Sequence, residues 1–314
     1  MRAVAVADYG ATPVVTQIPE PQPGRGELLI RTLAASMNPM DRNIAEGGWR
    51  NTMPATFPMV LGADIAGVVE DVGPRATEFG PGDEVFGQLM IAPLGVAGTF
   101  AEEVAVPEHA PLARIPDALD PMVAAALPTA GATGLDVVDS LEPLRGKTVL
   151  IVGAGGGVGS FATQFAANAG AHVIANTHES AEARMREYGA AEVVDHSLAS
   201  VMASVRAAHP DGIDVLIDLA SDRAAFAELA SLVRPGGTAL TTRFVADVAA
   251  LGKGGELNAA NYELTVSTEL LERVADAVVA GRIVPPPIRE IRLDEVPDAY
   301  ARIGHADGKT VITM

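Results

Sequence analysis

The chain has 314 residues, 48% of them apolar, enough for two domains with cores of their own. Its 22 basic against 40 acidic side chains leave a formal net charge of −18, which argues against nucleic acid or an anionic membrane surface as a partner. There is no cysteine, so disulfide frameworks and thiolate metal sites are excluded.

The opening MRAVAVADYG reads directly as a short strand and lacks a signal-peptide core, and no apolar run reaches the length of a membrane span. A soluble cytoplasmic protein is the expectation. Residues 2–7, 27–34, 65–72, 83–88 and 101–106 are predicted as short strands, separated by turn clusters at 19–26, 73–74 and 80–82. Strands this short and dense predict a barrel or sandwich. The segment 39–53 is less regular and carries Asp41, Arg42 and the single tryptophan, Trp49. A composition shift at 111–121 sets the boundary of a first domain over 1–120.

From Met122 the pattern changes to α/β. Residues 122–127 and 131–141 are predicted helical, broken at Pro128-Thr129. Residues 147–152 form an apolar, β-branched run that predicts a buried parallel strand. Glycines then crowd between Gly153 and Gly159, and Phe161, Phe165 and Ala169 fall on one helical face. A second apolar run begins at His172. Strand, glycine turn, helix and strand on this schedule predict a dinucleotide-binding βαβ unit, although a tight turn serving only packing has the same glycines.

The turn reads as Ala154-x-Gly156-x-x-Gly159 or as Gly153-x-x-Gly156-x-x-Gly159. Amides at the start of a helix, here Gly157, Val158 and Gly159, lack intrahelical partners and carry the positive end of the helix dipole, so a diphosphate rests on them where no Cβ intervenes. About 20 residues past the first glycine an acidic side chain would bind the ribose 2′-hydroxyl of NAD. Asn176, Thr177 and His178 stand there instead and do not repel a 2′-phosphate, which favours NADPH (NADP). Arg184 and Arg186 follow on the next helix, either reaching back to that phosphate or remaining solvated surface charges.

Helices at 181–188, 198–208 and 223–232 alternate with strands at 192–195, 214–219 and 237–242, which predicts a doubly wound parallel sheet. Residues 244–261 resist assignment. Residues 262–267 are predicted as an edge strand able to pair across a two-fold axis, and 269–280 as an amphipathic helix. Prolines at 285–287 end the pattern, and strands at 289–293 and 310–313 return the chain to the first domain.

Several stretches resemble one family when taken together: Asn38-Pro39-x-Asp41, the run from Val60 to Val69, Gly82-Asp83-Glu84-Val85-Phe86-Gly87, Gly98-Thr99-Phe100-Ala101-Glu102, the run from Ala126 to Thr133, and the glycine turn. They resemble the medium-chain dehydrogenase/reductase superfamily, and within it the zinc-independent quinone oxidoreductase, or zeta-crystallin-like, branch. The resemblance covers nearly the whole chain, with its motifs in the family's order. It implies a GroES-like β-barrel catalytic domain over 1–120 and 286–314 and a Rossmann NADP-binding domain over 121–285. It also implies a cleft between them, NADPH as hydride donor, and a homodimer.

In the zinc alcohol dehydrogenases of this superfamily the barrel domain supplies a thiolate and an imidazole. Asn38 stands at the thiolate position here, Ala63-Asp64 at a His-Glu pair, and the four-Cys lobe is missing, so no metal is expected. His109, His172, His196, His209 and His305 show no spacing that suggests a catalytic triad. The implied reaction is hydride transfer to a quinone or α,β-unsaturated carbonyl. Its alternatives are a catalytically idle NADPH-binding sensor or structural protein, and a zinc-free ketone or alcohol dehydrogenase.

Asn38 is the first candidate for a polar contact to nicotinamide or acceptor, or else it caps the turn before Pro39. Trp49 forms an aromatic substrate wall or joins the core. Asp41 acts as an acid or base, or pairs with Arg42 to hold its loop. Thr129, Thr133 and Lys309 match family positions near the cofactor, although Thr133 has the alternative of bonding its own helix backbone. Thr242, Arg243 and Phe244 follow the fifth strand, whose carboxyl end lines the ligand crevice in such sheets. Arg243 there offers charge to an enolate or a phosphate, or is a surface cation. Two departures from the family stand out: acids in Glu179-Ser180-Ala181-Glu182 where it has a basic residue, and an unusual lid stretch at 252–256.

Overall fold

The computed structural model describes residues 1–252, 257–303 and 307–314, so most of the 252–256 stretch and His305 lie outside it. The chain divides into two compact units, residues 1–132 with 266–314, and residues 133–265. Both divisions differ from the boundaries read from composition, at 120/121 and 285/286. The helices on either side of the division explain the difference, because their apolar faces are covered by the first unit's strands.

The first unit opens with β1 (Arg2–Val6), β2 (Val14–Gln17) and β3 (Glu27–Ser36), followed by α1 (Pro39–Ala45) and β4 (Met59–Val60). Next come β5 (Asp64–Val72), β6 (Glu84–Gln88), β7 (Glu103–Pro107), β8 (Leu112–Arg114) and α2 (Pro121–Ala126). The helix α2 packs on β3 and β5. The long antiparallel pair of β3 and β5 carries two register shifts, between Leu29 and Ile30 and between Thr32 and Ala34, which bend the sheet. Leu28, Ile30, Ile65, Val69, Val85 and Leu112 fill one side of it, and a second cluster around Val6, Met37, Ile44, Met59, Phe100 and Ile312 fills the other.

The predicted strands are present, but β2, β4 and β8 are too short for periodicity to reveal. The irregular segment contains α1, with Asn38 as its N-cap and Pro39 in the first turn, where a missing N–H costs nothing. Asp41 and Arg42 do not pair. Consecutive helical residues point in different directions, and Arg42 bonds Glu46 one turn on, at 2.8 Å, while Asp41 turns into the core.

The chain crosses to the second unit along α3 (Pro128–Ser140), which Pro128 begins rather than interrupts. There follow β9 (Thr148–Val152), α4 (Gly157–Asn168), β10 (His172–Thr177), α5 (Glu182–Glu187), β11 (Glu192–Asp195), α6 (Leu198–Ala208) and β12 (Ile213–Asp218). The unit ends with α7 (Arg223–Ala230), β13 (Val233–Thr241), α8 (Val248–Leu251) and β14 (Asn258–Asn261). These strands form one parallel sheet in the order β11-β10-β9-β12-β13-β14, the arrangement of a doubly wound dinucleotide-binding domain. Val149, Ile151, Val173 and Ile217 face one helical layer, and Leu150, Ile174 and Leu216 the other.

The edge strand is 258–261 and not 262–267. Its partner β13 stops at Thr241, and the last ladder-like bond runs from Tyr262 N–H to the Thr241 carbonyl, so later residues have no strand to follow. The tyrosine hydroxyl donates instead to Asp136. The chain then returns to the first unit through α9 (Thr268–Val279), which packs on β8, and continues with β15 (Ile288–Arg292), α10 (Val296–Tyr300) and β16 (Lys309–Thr313). The last strand pairs antiparallel with the end of β3, as predicted for a returning C-terminus.

Phe161 on α4 is fully buried, the centre of the face read from the Phe161, Phe165, Ala169 spacing. Phe161→Ala is expected to lower the unfolding free energy by about 3–5 kcal/mol in urea titrations followed by circular dichroism. A loss under about 1 kcal/mol would contradict the packing described.

Candidate active site

Each glycine of the turn after β9 has its own geometric duty. Gly153 turns the chain at φ +81°, a conformation L side chains rarely adopt. A Cβ on Gly159 would lie 2.3 Å from the Gly153 carbonyl oxygen, so this glycine lets α4 close onto the end of β9. A Cβ on Gly156 would meet nothing nearer than 3.4 Å, so the space in front of it is open to a ligand. Gly156 is the N-cap of α4 and offers no side chain to the first-turn amides of Gly157, Val158 and Gly159. Ala154 is fully buried, and its N–H donates to the Asn176 carbonyl, tying the turn to β10. The residues present therefore fit a nucleotide diphosphate.

At the end of β10, Asn176 is buried and its amide donates to the Asp195 carbonyl at 2.6 Å, so it joins β10 to β11. Thr177 is buried beneath the turn, where a Cβ on Gly155 would lie 2.4 Å from its hydroxyl oxygen. Arg184 reaches back, its guanidinium donating to the Gly155 carbonyl at 3.0 Å. Arg186 instead pairs with Glu182 at 2.9 Å. His178 stacks on His196 with ring centroids 3.7 Å apart, a neighbour that spacing along the chain does not announce.

Asp218 is fully buried at the end of β12, accepting from the Thr241 hydroxyl at 3.0 Å and the Ser221 N–H at 3.1 Å. The Thr242 N–H donates to the Asp218 carbonyl, and Arg243 and Phe244 follow with exposed side chains. Phe244 is 54% exposed at φ +57°, an unusual backbone for a bulky residue. Thr133 is buried on α3 in this same unit.

The first unit gathers four predicted residues, Asn38, Asp41, Thr129 and Lys309, around one that was noted only as a substitution, Asp64. The Asp64 carboxylate accepts from the Thr129 hydroxyl at 2.6 Å, the Asn38 amide at 2.9 Å and the Ser36 hydroxyl at 3.2 Å. Gln88 donates to Thr129 at 2.6 Å. The Lys309 ammonium donates to Asn38 Oδ1 at 2.6 Å and the Met37 carbonyl at 3.1 Å, and lies 3.9 Å from Asp64. The Asn38 amide is thus held inside the network, and the capping of α1 comes from Asp41, whose Oδ2 accepts from the Asn38 N–H at 2.6 Å.

Burial shapes the charges here. It raises Asp64 against the pull of Lys309, Thr129 and Asn38, and it lowers Lys309 against the pull of both carboxyls. Asp41 is pushed up to about 7, chiefly by burial and only partly offset by the Asn38 N–H. Among the described residues of this network, Asp41 Oδ1 is the polar atom with no hydrogen-bond partner. Asp41 also lines a cavity of about 20 Å³, walled by Ile44, Met59, Leu61 and Leu89, with room for one water-sized group. Trp49 packs on the apolar cluster of Met37, Ile44 and Met59, outside this network.

Residues 24–117 match the family described as alcohol dehydrogenase GroES-like domain, and residues 157–251 the family described as zinc-binding dehydrogenase. The chain is 30% identical to the mitochondrial NAD(P)H oxidoreductase RTN4IP1 of Mus musculus, over 92% of this chain and 82% of that protein. The chain belongs to the medium-chain dehydrogenase/reductase superfamily. It is also 29% identical to the chloroplastic NADPH-dependent alkenal/one oxidoreductase of Arabidopsis thaliana, over 99% of this chain and 79% of that protein. The quinone oxidoreductase of Coxiella burnetii superposes with a TM-score of 0.86 at 25% identity, over 100% of this chain and 99% of that one. Membership identifies the chain as an oxidoreductase built for a pyridine nucleotide, with the GroES-like and Rossmann folds expected.

Within that superfamily frame, sequence reasoning missed Asp64 as the hub, along with Gln88, Ser36, His196 and Asp218. Asp64 did leave a signal, a lone carboxylate inside the apolar run Val60–Val69.

The folded chain holds on Asp41 a proton that the unfolded chain releases near 3.8. The stabilisation is complete below that pKa and is lost as the pH rises through about 7. Asp41→Asn keeps the neutral shape, so its stability should fall less between about pH 4.5 and about pH 7.5, by on the order of 3 kcal/mol. Urea unfolding of both proteins across this range checks it, and parallel profiles would contradict the assignment.

Proposed function

We propose that the chain is an NADPH-dependent, zinc-independent reductase of quinones or α,β-unsaturated carbonyls. The observation that carries this reading is the open corner at Gly156, where the first-turn amides of α4 face space that a side chain would fill. The acceptor class is supported by the relatives named quinone and alkenal/one oxidoreductase.

Bound NADPH supplies the hydride. The chain's own part begins with the amides of Gly157, Val158 and Gly159, which hold the diphosphate. Arg184 and His178 sit beside the turn and after β10, where they offer cationic and stacking contacts to the adenosine end. Thr242, Arg243 and Phe244 stand at the carboxyl ends of the strands, where ligands bind in open parallel sheets. Asn38, Thr129 and Lys309 act as positioning residues around Asp64. Asp41 holds the proton that the reduced acceptor takes up, with its unpartnered oxygen exchanging through the small cavity.

Zinc independence is supported by the donor set. The thiolate position holds an amide, and the Lys309 ammonium lies 2.6 Å from it, where its charge repels a divalent ion. A homodimer belongs to the same reading, with the free side of β14 at the sheet edge as its surface. A monomer in sedimentation at micromolar concentration would remove that element.

The test is NADPH oxidation with a panel of para-quinones, enones and simple ketones in the presence of a chelator. Turnover with quinones or enones, undiminished by the chelator, is expected. Tight NADPH binding without turnover would favour the idle nucleotide-binding protein, and turnover with ketones alone would favour an alcohol dehydrogenase. Arg184→Ala should raise KM for NADPH by about tenfold while leaving NADH nearly unaffected. An equal effect on both would deny Arg184 the 2′-phosphate.

A further inference from the structure

The amino ends of β10 and β11 lie at the opposite end of their strands from the nucleotide corner. His172 opens β10, Glu192 opens β11 and His209 caps the carboxyl end of α6. No spacing along the chain announces them as a group. The sheet assembles them: Glu192 is the register partner of Ile174, so it shares a face with His172 two residues earlier. The helix α6 packs on β11 and delivers His209 to the same point.

Both imidazole Nε2 atoms address one oxygen, Glu192 Oε1, at 2.5 Å from His172 and 2.9 Å from His209. The three ligand-type atoms all lie within 4.8 Å of one another. The rings meet edge to face with centroids 5.7 Å apart, leaving both nitrogens turned inward. His209 is mostly covered, with 18% of its side chain exposed, so part of the cluster is already fixed by packing. Burial works against the charge on Glu192, but the two imidazoles outweigh it and hold the carboxyl below its ordinary range.

We propose that His172, Glu192 and His209 form a zinc-type divalent-cation site that ties the edge strand β11 to β10 and α6. In the cation's absence two N–H groups crowd a single carboxylate oxygen. A divalent ion replaces both with two nitrogen ligands and one oxygen ligand, a set suited to zinc, with water completing the shell. The carboxyl end of α6 contributes partial negative charge beside His209, and the net charge of −18 favours cations over the whole surface. The site is structural. It is separate from the metal-free chemistry proposed for the first unit and takes no part in hydride transfer.

Metal-stripped full-length protein titrated with zinc chloride in a calorimeter tests the site. One zinc per chain is expected, with micromolar or tighter affinity and a rise in melting temperature on the order of 5 °C at saturating zinc. Cobalt(II) in place of zinc should give visible d–d absorption. Glu192→Gln, which keeps the side-chain shape, and His209→Ala should each weaken zinc binding about tenfold or more. His196→Ala, at the far end of β11, should leave it unchanged. Absence of saturable binding, or affinity unaltered in Glu192→Gln and His209→Ala, would overturn the proposal. Neither result bears on turnover with NADPH, so the two readings fail separately.

Discussion

The closest approach of α4 to the end of β9 sets the geometry of the nucleotide unit. With 2.3 Å between the Gly153 carbonyl oxygen and any Cβ at Gly159, only glycine admits the helix to that distance. The approach brings the positive end of a twelve-residue helix to the carboxyl edge of a parallel sheet. A diphosphate placed there meets three unpartnered amides and the helix dipole together, and neither contribution is available if the helix stands farther out. The fully buried Ala154 and the Asn176 carbonyl then lock the turn against β10, so the corner is set before any ligand arrives.

The first unit depends on a different balance. Two carboxyls and one ammonium are buried together, and removing each charged member from water costs several kcal/mol. Coulomb attraction at 3.9 Å between Lys309 and Asp64 offsets only part of that, and the hydrogen bonds from Thr129, Asn38 and Ser36 supply much of the rest. Asp41 receives only the Asn38 N–H, which explains why burial prevails there and the acid stays protonated toward neutrality. The network also has a topological consequence. Lys309 lies on the last strand and Asn38 follows the third, so the buried charge closes correctly only once the C-terminal strand has returned to β3.

Those elements whose information is local were legible in the sequence. The short strand at 27–34, the apolar run of β9, the glycine turn and the spacing of Phe161 and Phe165 each sit within a dozen residues, and each formed as read. The short strands β2 and β4 both pair with β1, and β4 reaches it from more than 50 residues away, which periodicity does not register. The edge strand was displaced because the stopping point of β13, not the composition of 262–267, decides where pairing ends. Asn38 was identified as important for its position, but its role depends on Lys309, 271 residues away, and no local pattern carries that. His172, Glu192 and His209 were invisible for the same reason: three unremarkable side chains acquire meaning only in the register of a parallel sheet.

The acids after β10 pose the sharpest question about cofactor preference, since a 2′-phosphate brings additional negative charge to a chain that is already strongly acidic. For Glu182 the effect is smaller than the sequence suggests. Glu182 faces Arg186 one turn along α5 and is neutralised by it at 2.9 Å, so neither contributes much net field. Arg184 lies between them in the sequence but on another side of the helix, and its guanidinium is turned toward the glycine turn at Gly155. The arrangement turns Arg184 toward the glycine turn and leaves Glu182 and Arg186 as a self-contained pair toward the solvent. With Thr177 and His178 in place of the usual carboxylate, repulsion of a 2′-phosphate is absent where it would be strongest, next to the ribose. The electrostatic case for NADPH thus rests on the direction of one arginine rather than on the charge of the segment.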